Sequence, residues 1–400
     1  MKDLSSPENK DLFAIVSVGY NRLDSQRRLL ELLKSADYSG YANVPLIISI
    51  DCSGDEPLYE YARNYEWPHG DKYVFIREKR LGLKDHILSC GDLSRYFKGI
   101  ILLEDDLYVS RWFYHYIMQM DHAYGNCNKV ASIGMYSNEM NGFCWLPFDR
   151  LQNEADVFAI QSVCTSGEAW NSDMWARFRE WYDKADIDWE SLDVPEKEKK
   201  WTRAWSKFFD AYLVTNDLYS IFPNVSLSTN FGDAGEHGRS AAMDSLRHQV
   251  TIQAGKRSFQ TLPFDSLLKY DAHFNSLNLF ETLGIKREET CIDLYGNRNN
   301  RYAKRYYLSV QPKPYKILRS FGLVMRPVEA NILHDLAGHD IFLYDTTQKG
   351  LRPKSNGLTH RVMYYQKGFN SLFIWQLVRG NMAFLCSTAI NKLKKKLRIR

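Results

Sequence analysis

The sequence has 400 residues, of which 44% are hydrophobic, 25% charged and 14% aromatic, a composition typical of a folded soluble protein rather than a disordered or fibrous one. The net charge is +4, but six Lys and Arg residues lie among the last ten positions; without them the remainder carries −2, which argues against a nucleic-acid-binding body. The seven cysteines are scattered and include no C-x-x-C pair, which argues against a disulfide framework and against a zinc site.

The N-terminal residues do not have the pattern of a secretory signal. Residues 1–10 are polar, and the first apolar run, residues 12–18, is too short and wrongly flanked. Together with the scattered cysteines, this predicts a cytoplasmic protein.

Strands and helices alternate along the first hundred residues. Apolar runs at 12–18, 45–50, 73–76 and 100–103 predict strands, and the stretches between them predict helices, with Asp24 as a candidate cap of the first. Because these strands are apolar throughout, they indicate a parallel sheet covered on both faces. We therefore predict an α/β fold, a Rossmann-like, mostly parallel sheet flanked by helices.

Polar residues follow each of the four strands, where ligands bind in such sheets. They are Asn21-Arg22, Asp51, residues 80–84 with Lys84, and the acidic triplet Glu104-Asp105-Asp106. Three consecutive acids after a buried strand repel one another unless a cation lies among them, and carboxylates are ligands that Mg²⁺ and Mn²⁺ prefer. The alternative is a solvated acidic loop at the sheet edge.

The second half of the chain has a weaker pattern. A Trp-rich region spans 170–205, a Gly-rich loop spans 231–238, and residues 306–310 and 340–344 predict strands. No catalytic pattern occurs beyond about residue 250. We expect one domain over residues 1–250 and a C-terminal α+β extension over 251–400.

Several of these segments, in this order, resemble the donor half of GT-A-type glycosyltransferases. The similarity is greatest to bacterial family 2-like enzymes of surface-polysaccharide assembly and to the N-acetylglucosaminyltransferase that begins complex N-glycans. It covers roughly residues 12–240. The segments that carry it are residues 18–22 (VGYNR), 49–51 (SID), 80–86 (RLGLKDH), 103–107 (LEDDL), 166–170 (SGEAW) and 223–232 (PNVSLSTNFG).

The resemblance implies roles for the strand-end residues. Arg22 and Asp51, beside Asn21, would contact the nucleoside, and the segment around Lys84 would help to form the donor pocket. The acidic triplet would hold Mn²⁺ or Mg²⁺, with Asp106 as the direct ligand. In the Gly-rich loop, His237 is either a further ligand of the metal or diphosphate, or an exposed loop histidine.

The catalytic base is the point at which the sequence departs from the family pattern. Relatives often carry Asp directly after a Trp on the helix before the Pro-x-Val-x-Leu strand, and here Ser206 follows Trp205. We predict Glu168 as the base instead, with Asp210 and Asp188 as the next candidates. Glu168 has the alternative reading of a helix-cap residue.

The tryptophans of the Trp-rich region have two readings. They are either acceptor-stacking residues or, as is more common for this residue type, core residues. The four are Trp170, Trp175, Trp181 and Trp205.

The predicted function is metal-dependent, inverting transfer of a hexosyl or N-acetylhexosaminyl group from a UDP-type nucleotide sugar. The acceptor would be a growing oligosaccharide or a lipid-linked glycan of surface-polysaccharide or glycoconjugate synthesis. One alternative is a non-catalytic carbohydrate-binding or scaffold protein that kept the fold and lost the base. A second is a sugar nucleotidyltransferase, which would need a Gly-rich basic loop after the first strand, where only Gly19 is present.

The basic C-terminal tail predicts an anionic membrane surface as a partner. The apolar stretch before it, residues 369–386, is broken by Gln376, Arg379 and Asn381 and does not read as a spanning helix. The tail would therefore be peripheral, on the inner face of the cytoplasmic membrane. The alternative is a solvated basic end on a docked C-terminal helix.

Overall fold

A computed structural model describes residues 10–233, 249–255, 257–299, 302, 304–366 and 370–398 of the protein. These residues form a large α/β unit, a smaller α+β unit and helices at the C-terminal end. The predicted fold class, a mostly parallel sheet flanked by helices with a C-terminal α+β extension, is confirmed.

The larger unit is organised around one central sheet. Its strands, with those of two small ladders, are in chain order β1 (Phe13–Gly19), β2 (Leu46–Ile50), β3 (Lys72–Ile76), β4 (Gly99–Glu104), β5 (Leu107–Val109), β6 (Val130–Gly134), β7 (Met140–Asn141), β8 (Leu146–Pro147), β9 (Val157–Ile160), β10 (Glu168–Asn171), β11 (Tyr219–Pro223), β12 (Ser228–Asn230) and β13 (Lys269–Tyr270). Over the described residues the sheet order is β13-β9-β11-β6-β10-β4-β1-β2-β3, while β5 pairs with β12 and β7 with β8.

The first four strands run parallel, with β1 between β2 and β4, so their carboxyl ends meet at one edge. Strand β10 lies antiparallel between β4 and β6. All four predicted strand positions agree with the observed ones to within about two residues, the accuracy expected at element ends. The carboxyl edge of this sheet therefore carries the polar residues singled out in the sequence.

Helices cover the sheet. They are α1 (Leu23–Ser35), α2 (Glu56–Asn64), α3 (Leu83–Gly91), α4 (Phe113–Tyr124), α5 (Ser172–Lys184), α6 (Glu196–Lys199) and α7 (Ser206–Thr215). Helix α1 buries Leu29, Leu30 and Leu33 against the sheet, as its spacing predicted. Asp24 is not its cap: Arg22 occupies the N-cap position, and Asp24 lies in the first turn, where its charge still favours the helix N-terminus.

The segment between β3 and β4, which the sequence predicts as a helix, begins as helix α3. This helix ends at Gly91 and continues as a 3₁₀ turn, Asp92–Tyr96. Trp175 of α5 packs directly on Gly91. A Cβ at this position would lie 1.9 Å from the indole ring, closer than two non-bonded carbon atoms can approach. The close approach of the two segments thus requires glycine at position 91.

The smaller unit has its own sheet and core. Its elements are α8 (Leu279–Leu283), β14 (Thr290–Asp293), β15 (Tyr306–Ser309), β16 (Tyr315–Phe321), α9 (Val328–Leu333) and β17 (Ile341–Lys349), and the described sheet order is β14-β15-β17-β16. The second core begins at Leu279, whereas β13 joins the central sheet. The smaller unit thus starts later along the chain than the predicted domain boundary at residue 250.

Glu329 of α9 gives a prediction for the stability of this unit. Its side chain is fully buried, its oxygens have no hydrogen-bond partner among the described residues, and burial, with a smaller effect of Asp149, raises its pKa to about 8. The folded state therefore binds the proton more tightly than the unfolded state, and the free energy of unfolding falls as the pH rises from about 4.5 towards about 8.

We expect Glu329→Gln to raise the melting temperature at pH 8.5, by an amount equivalent to roughly 4–5 kcal/mol in the free energy of unfolding. At pH 5, where the carboxyl group is protonated in the folded protein, the substitution is expected to have little effect. Thermal unfolding of both proteins at the two pH values checks this, and an equal shift at both would contradict the assignment.

The chain ends in helices α10 (Gly357–Tyr365), α11 (Ser371–Gly380) and α12 (Met382–Arg398). Every side chain of α11 is exposed. Among the described residues, no helix is both long enough and apolar enough to cross a bilayer.

Candidate active site

A cleft of about 180 Å³ opens at the carboxyl ends of β1, β2 and β4. Because these parallel strands are neighbours, they bring together segments that are far apart in the sequence. The cleft is lined by residues 18–22, Asp51, Arg80, Gly82, Leu83, His86, residues 104–106 and Asp233. The predicted residues Asn21, Arg22, Asp51, Glu104, Asp105 and Asp106 are therefore assembled in one place.

Asp51 fixes the loop that closes one side of the cleft. Its buried carboxylate accepts hydrogen bonds from the backbone N–H groups of Leu81 at 2.8 Å and Gly82 at 2.9 Å. Gly82 has a φ of +78°, a conformation that residues with a Cβ rarely adopt. Asp51 thus positions the loop in addition to facing the cleft.

Arg22 lies among the acids of the triplet. It forms a salt bridge with Asp105 through two guanidinium nitrogens, and its Nη1 lies 3.1 Å from Oδ2 of Asp106. The sequence indicated that positive charge was needed at this point, and the structure supplies one such charge from the end of the neighbouring strand.

One guanidinium does not offset the triplet fully. Burial, reinforced by the charges of Asp106 and Asp105, raises the pKa of Glu104 to about 8. Burial also raises the pKa of Asp105 to about 6, although Arg22 opposes the shift. The cleft thus retains an affinity for additional positive charge.

The structure does not bring Lys84 into the cleft, which corrects the prediction for this residue. The residues of α3 that line the cleft are Leu83 and His86, three positions apart on one helix face. Lys84 is rotated away from that face, with its Nζ 5.5 Å from the ring centroid of Phe208 and 3.7 Å from Asp85.

Three polar residues of the cleft, Arg80, His86 and Asp233, lie in segments that the sequence singled out, but none of them was assigned a role of its own. The guanidinium of Arg80 lies 4.7 Å from the ring centroid of Tyr20, and Asp233 accepts a hydrogen bond from Ser25 at 2.7 Å. Nε2 of His86 lies 2.8 Å from the Ser49 hydroxyl, and burial lowers the His86 pKa to about 4, so this ring is neutral at physiological pH. No local spacing signals any of the three.

A second cavity, of about 430 Å³, has aromatic walls. Phe143 and Trp201 stack with ring centroids 6.2 Å apart, and Trp145, half exposed, lies 5.3 Å from Nζ of Lys197. Flat apolar rings beside polar groups are suited to the C–H faces and hydroxyls of sugars.

Asp210 of α7 lines the second cavity together with Ser206. The two residues are four positions apart and therefore lie on one face of the helix, so the carboxylate stands one turn beyond Ser206. Oδ1 of Asp210 accepts a hydrogen bond from the Val163 N–H at 2.6 Å.

Glu198 is the other carboxyl group at this point. It is fully buried, has no N–H or O–H donor among the described residues, and lies beside Asp210. Burial raises the pKa of both carboxyl groups. The charge of Asp210 raises the pKa of Glu198 further. A hydrogen bond from Glu198 opposes the rise in the pKa of Asp210. As the pH falls, Glu198 therefore takes up a proton before Asp210 does.

Glu168 does not occupy the position expected of a base, which corrects the prediction. It begins strand β10 in the interior of the central sheet, opposite Leu102, and is 1% exposed. Burial raises its pKa well above the ordinary value, and neither the Ser132 hydroxyl nor the backbone at Cys164, both nearby, has hydrogen-bond geometry to its oxygens. Its carboxyl group is thus neutral and lines neither cavity.

Asp188 and the four tryptophans predicted from the sequence also lie away from both cavities. Asp188 is an exposed turn residue whose Oδ1 accepts from the Glu190 N–H, so it is not placed at either cavity. Trp170, Trp175 and Trp205 are buried in the main core, and Trp181 packs on it, so the core reading is correct. The cavity tryptophans are Trp145 and Trp201 instead.

Strand β12 connects the two cavities. The Phe231 N–H, just after β12, donates to the carbonyl of Asp106 at 2.9 Å. Gln249, which lines the second cavity, donates to the carbonyl of Asn230 at 2.7 Å. The acidic cleft and the aromatic cavity are thus fixed to the same short strand.

His237 lies outside the described residues, so its predicted role stays a prediction. Among the described residues, no group of three or more His, Cys, Asp or Glu side chains is arranged to hold a metal ion. Metal ions bound together with a diphosphate commonly take only one or two protein carboxylates, a donor set that the triplet can supply.

No protein-family model matches the chain, and no curated protein matches it significantly. A solved structure of S. aureus TarS 1-349 in complex with UDP-GlcNAc has 14% identity and a TM-score of 0.34, covering 57% of this chain and 61% of that one. The mannosyltransferase PcManGT from Pyrobaculum calidifontis, in complex with GDP-Man and Mn²⁺, has 12% identity and a TM-score of 0.29, covering 41% and 46%. The chain thus spans less than two thirds of either protein, and similarity at this level does not establish a family.

Proposed function

We propose that the protein is a metal-dependent, inverting glycosyltransferase. It would transfer a hexosyl or N-acetylhexosaminyl group from a UDP-type nucleotide sugar to a hydroxyl group of a glycan or lipid-linked acceptor. The observation that carries the proposal is the pairing of two sites on strand β12: an acidic cleft at the sheet edge and an aromatic-walled cavity that contains Asp210.

The acidic cleft has the groups that a nucleotide diphosphate and its cation require. Asp106, beside Glu104 and Asp105, offers only hard oxygen ligands, which fit Mn²⁺ or Mg²⁺. The bound ion would offset the negative charge that develops on the departing diphosphate. Arg22 already lies at the acids and has the fork geometry that suits phosphate oxygens. Asp51 holds the wall against which the nucleoside would rest.

The aromatic cavity would hold the acceptor. The hydroxyl oxygen of the acceptor forms the new bond to the anomeric carbon of the donor sugar, and the bond from that carbon to the diphosphate oxygen breaks. The hydroxyl proton passes to the carboxylate of Asp210. A base whose pKa is raised towards neutrality is well matched to this proton transfer. Attack from the face opposite the leaving diphosphate inverts the anomeric centre.

One feature favours the competing reading of a non-catalytic, carbohydrate-binding protein: Ser206 occupies the position where relatives often carry Asp. Asp210, one helical turn later in the same cavity, weighs against it. The nucleotidyltransferase reading gains no support, because the loop after β1 has only Gly19 and its charged groups pair with the acids.

Calorimetric titration of the whole chain with UDP and a panel of UDP- and GDP-sugars tests the proposal. We expect UDP-sugar binding with Mn²⁺ present and at least about 100-fold weaker binding in EDTA, because the acids then repel the diphosphate. GDP-sugars serve as the matched control for recognition of the uracil nucleobase. If no nucleotide binds under either condition, the donor-site assignment is wrong.

A further inference from the structure

The C-terminal helices differ from the rest of the chain in both charge and exposure. The last acidic residue is Asp345, and residues 346–400 contain 12 Lys and Arg and no Asp or Glu. The remaining chain therefore carries a net charge of −8. This segregation is much stronger than the basic tail alone indicated.

The same segment exposes large apolar side chains. Leu372 is 63% exposed, Trp375 61% and Phe384 58%. The other exposed members of this group in α11 and α12 are Phe373, Ile374, Leu377, Val378, Met382, Leu385, Ile390 and Leu393. An apolar patch of this extent marks an interaction surface, because isolated soluble domains rarely expose so many contiguous apolar groups.

Both helices carry an apolar face beside polar or basic positions. In α11 the pairs Phe373 with Leu377 and Ile374 with Val378 lie four residues apart, whereas Gln376 and Arg379 share another side. In α12, Met382, Cys386, Ile390 and Leu393 follow helical spacing and form one stripe. The lysines at 392 and 394–396 lie off that stripe in the sequence pattern.

We propose that residues 370–398 are a docking arm that lies on a bilayer containing anionic phospholipid. The apolar side chains would enter the region between headgroups and acyl chains, with Trp375 suited to the interface, while the basic residues pair with lipid phosphates. A lipid surface fits better than a protein groove because the exposed apolar side chains of α11 and α12 adjoin a segment that carries basic but no acidic residues. Charge complementarity selects the anionic surface, such as that of the cytoplasmic leaflet.

The arm makes the acceptor side of the proposed function more specific, since it would hold the enzyme where lipid-linked glycans are found. The docking itself does not require catalysis, so it can succeed or fail independently of the nucleotide titration.

Flotation of the full chain with lipid vesicles at physiological salt tests the arm. We expect it to float with phosphatidylcholine vesicles that contain about 30 mol% phosphatidylglycerol. With pure phosphatidylcholine vesicles we expect at least about 10-fold less flotation. The triple variant Leu372→Ser, Trp375→Ser, Phe384→Ser keeps every charge and is expected to lose at least about 10-fold in partition coefficient.

A matched pair of charge variants separates the arm from general electrostatics. The arm variant replaces four lysines by Gln, at Lys392, Lys394, Lys395 and Lys396. The control replaces four exposed basic residues of the larger unit by Gln, at Arg63, Lys184, Lys200 and Arg203. Only the arm variant is expected to lose vesicle binding, again by at least about 10-fold, while an unchanged circular dichroism spectrum and melting temperature report an intact body for every variant.

Two results would overturn the docking arm. The first is absence of flotation with anionic vesicles, and the second is flotation that the apolar triple variant leaves unchanged. A lipid-independent dimer that the triple variant dissociates, without vesicle binding, would assign the surface to a second copy of the chain instead.

Discussion

Asp210→Asn is expected to lower kcat by about 10²–10⁴-fold, the usual contribution of a general base. Asn has nearly the same shape as Asp and its Oδ1 can still accept the Val163 N–H, so the fold and the cavity should be retained. What the variant loses is the capacity to take the acceptor proton. Initial rates of sugar transfer, with UDP-sugar affinity measured in parallel, check this, and the affinity should stay within about threefold of wild type.

A second carboxyl variant serves as the control for this assignment. Glu168→Gln should transfer sugar near the wild-type rate, because Glu168 is a buried, neutral strand residue that lines neither cavity. A large loss in this variant, or a near-normal rate for Asp210→Asn, would return the role of base to Glu168.

Glu198 is a positioning residue, and its variant separates that role from catalysis. Burial raises the pKa of Asp210, and a hydrogen bond from protonated Glu198 opposes that rise. Glu198→Gln preserves a donor at this point. We expect kcat to be largely retained and the acidic limb of the kcat/KM profile to move in pH. Loss of activity at every pH would indicate that Glu198 itself takes the proton.

Asp106→Asn is expected to weaken UDP-sugar binding in Mn²⁺ by about 100-fold or more, because it removes the proposed carboxylate ligand of the cation. In EDTA the effect should have the opposite sign or vanish, since one negative charge facing the diphosphate is gone. Calorimetry under both conditions therefore distinguishes a lost metal ligand from a damaged cleft, which would weaken binding in both.

Asp24→Asn is the matched control for Asp106→Asn. It makes the same change of charge at the start of α1, but the Asp24 side chain is 95% exposed and lies outside the cleft. Its affinity for UDP-sugar should equal that of wild type with Mn²⁺ and in EDTA. If both variants weaken binding equally, the effect reflects net charge and not a ligand at Asp106.

The sequence by itself determined the core of the first hundred residues. Strands that are apolar on both faces can be satisfied only between two layers of helices, so β1 to β4 and their parallel arrangement could be read from the residue pattern. The same topology places their carboxyl ends at one edge, which is why Arg22, Asp51 and the acidic triplet were predicted to lie together.

Only the tertiary structure decided which carboxylate faces the aromatic cavity and which lysine faces the cleft. Glu168 and Asp210 are equally acidic in the sequence, but one lies inside a sheet and the other on a helix face at the cavity. Lys84 misses the cleft through the rotation of α3, and Phe143 and Trp201 stack only because a hairpin and a loop converge. Local patterns report which side of an element is apolar, whereas the direction of one polar side chain depends on packing between distant segments.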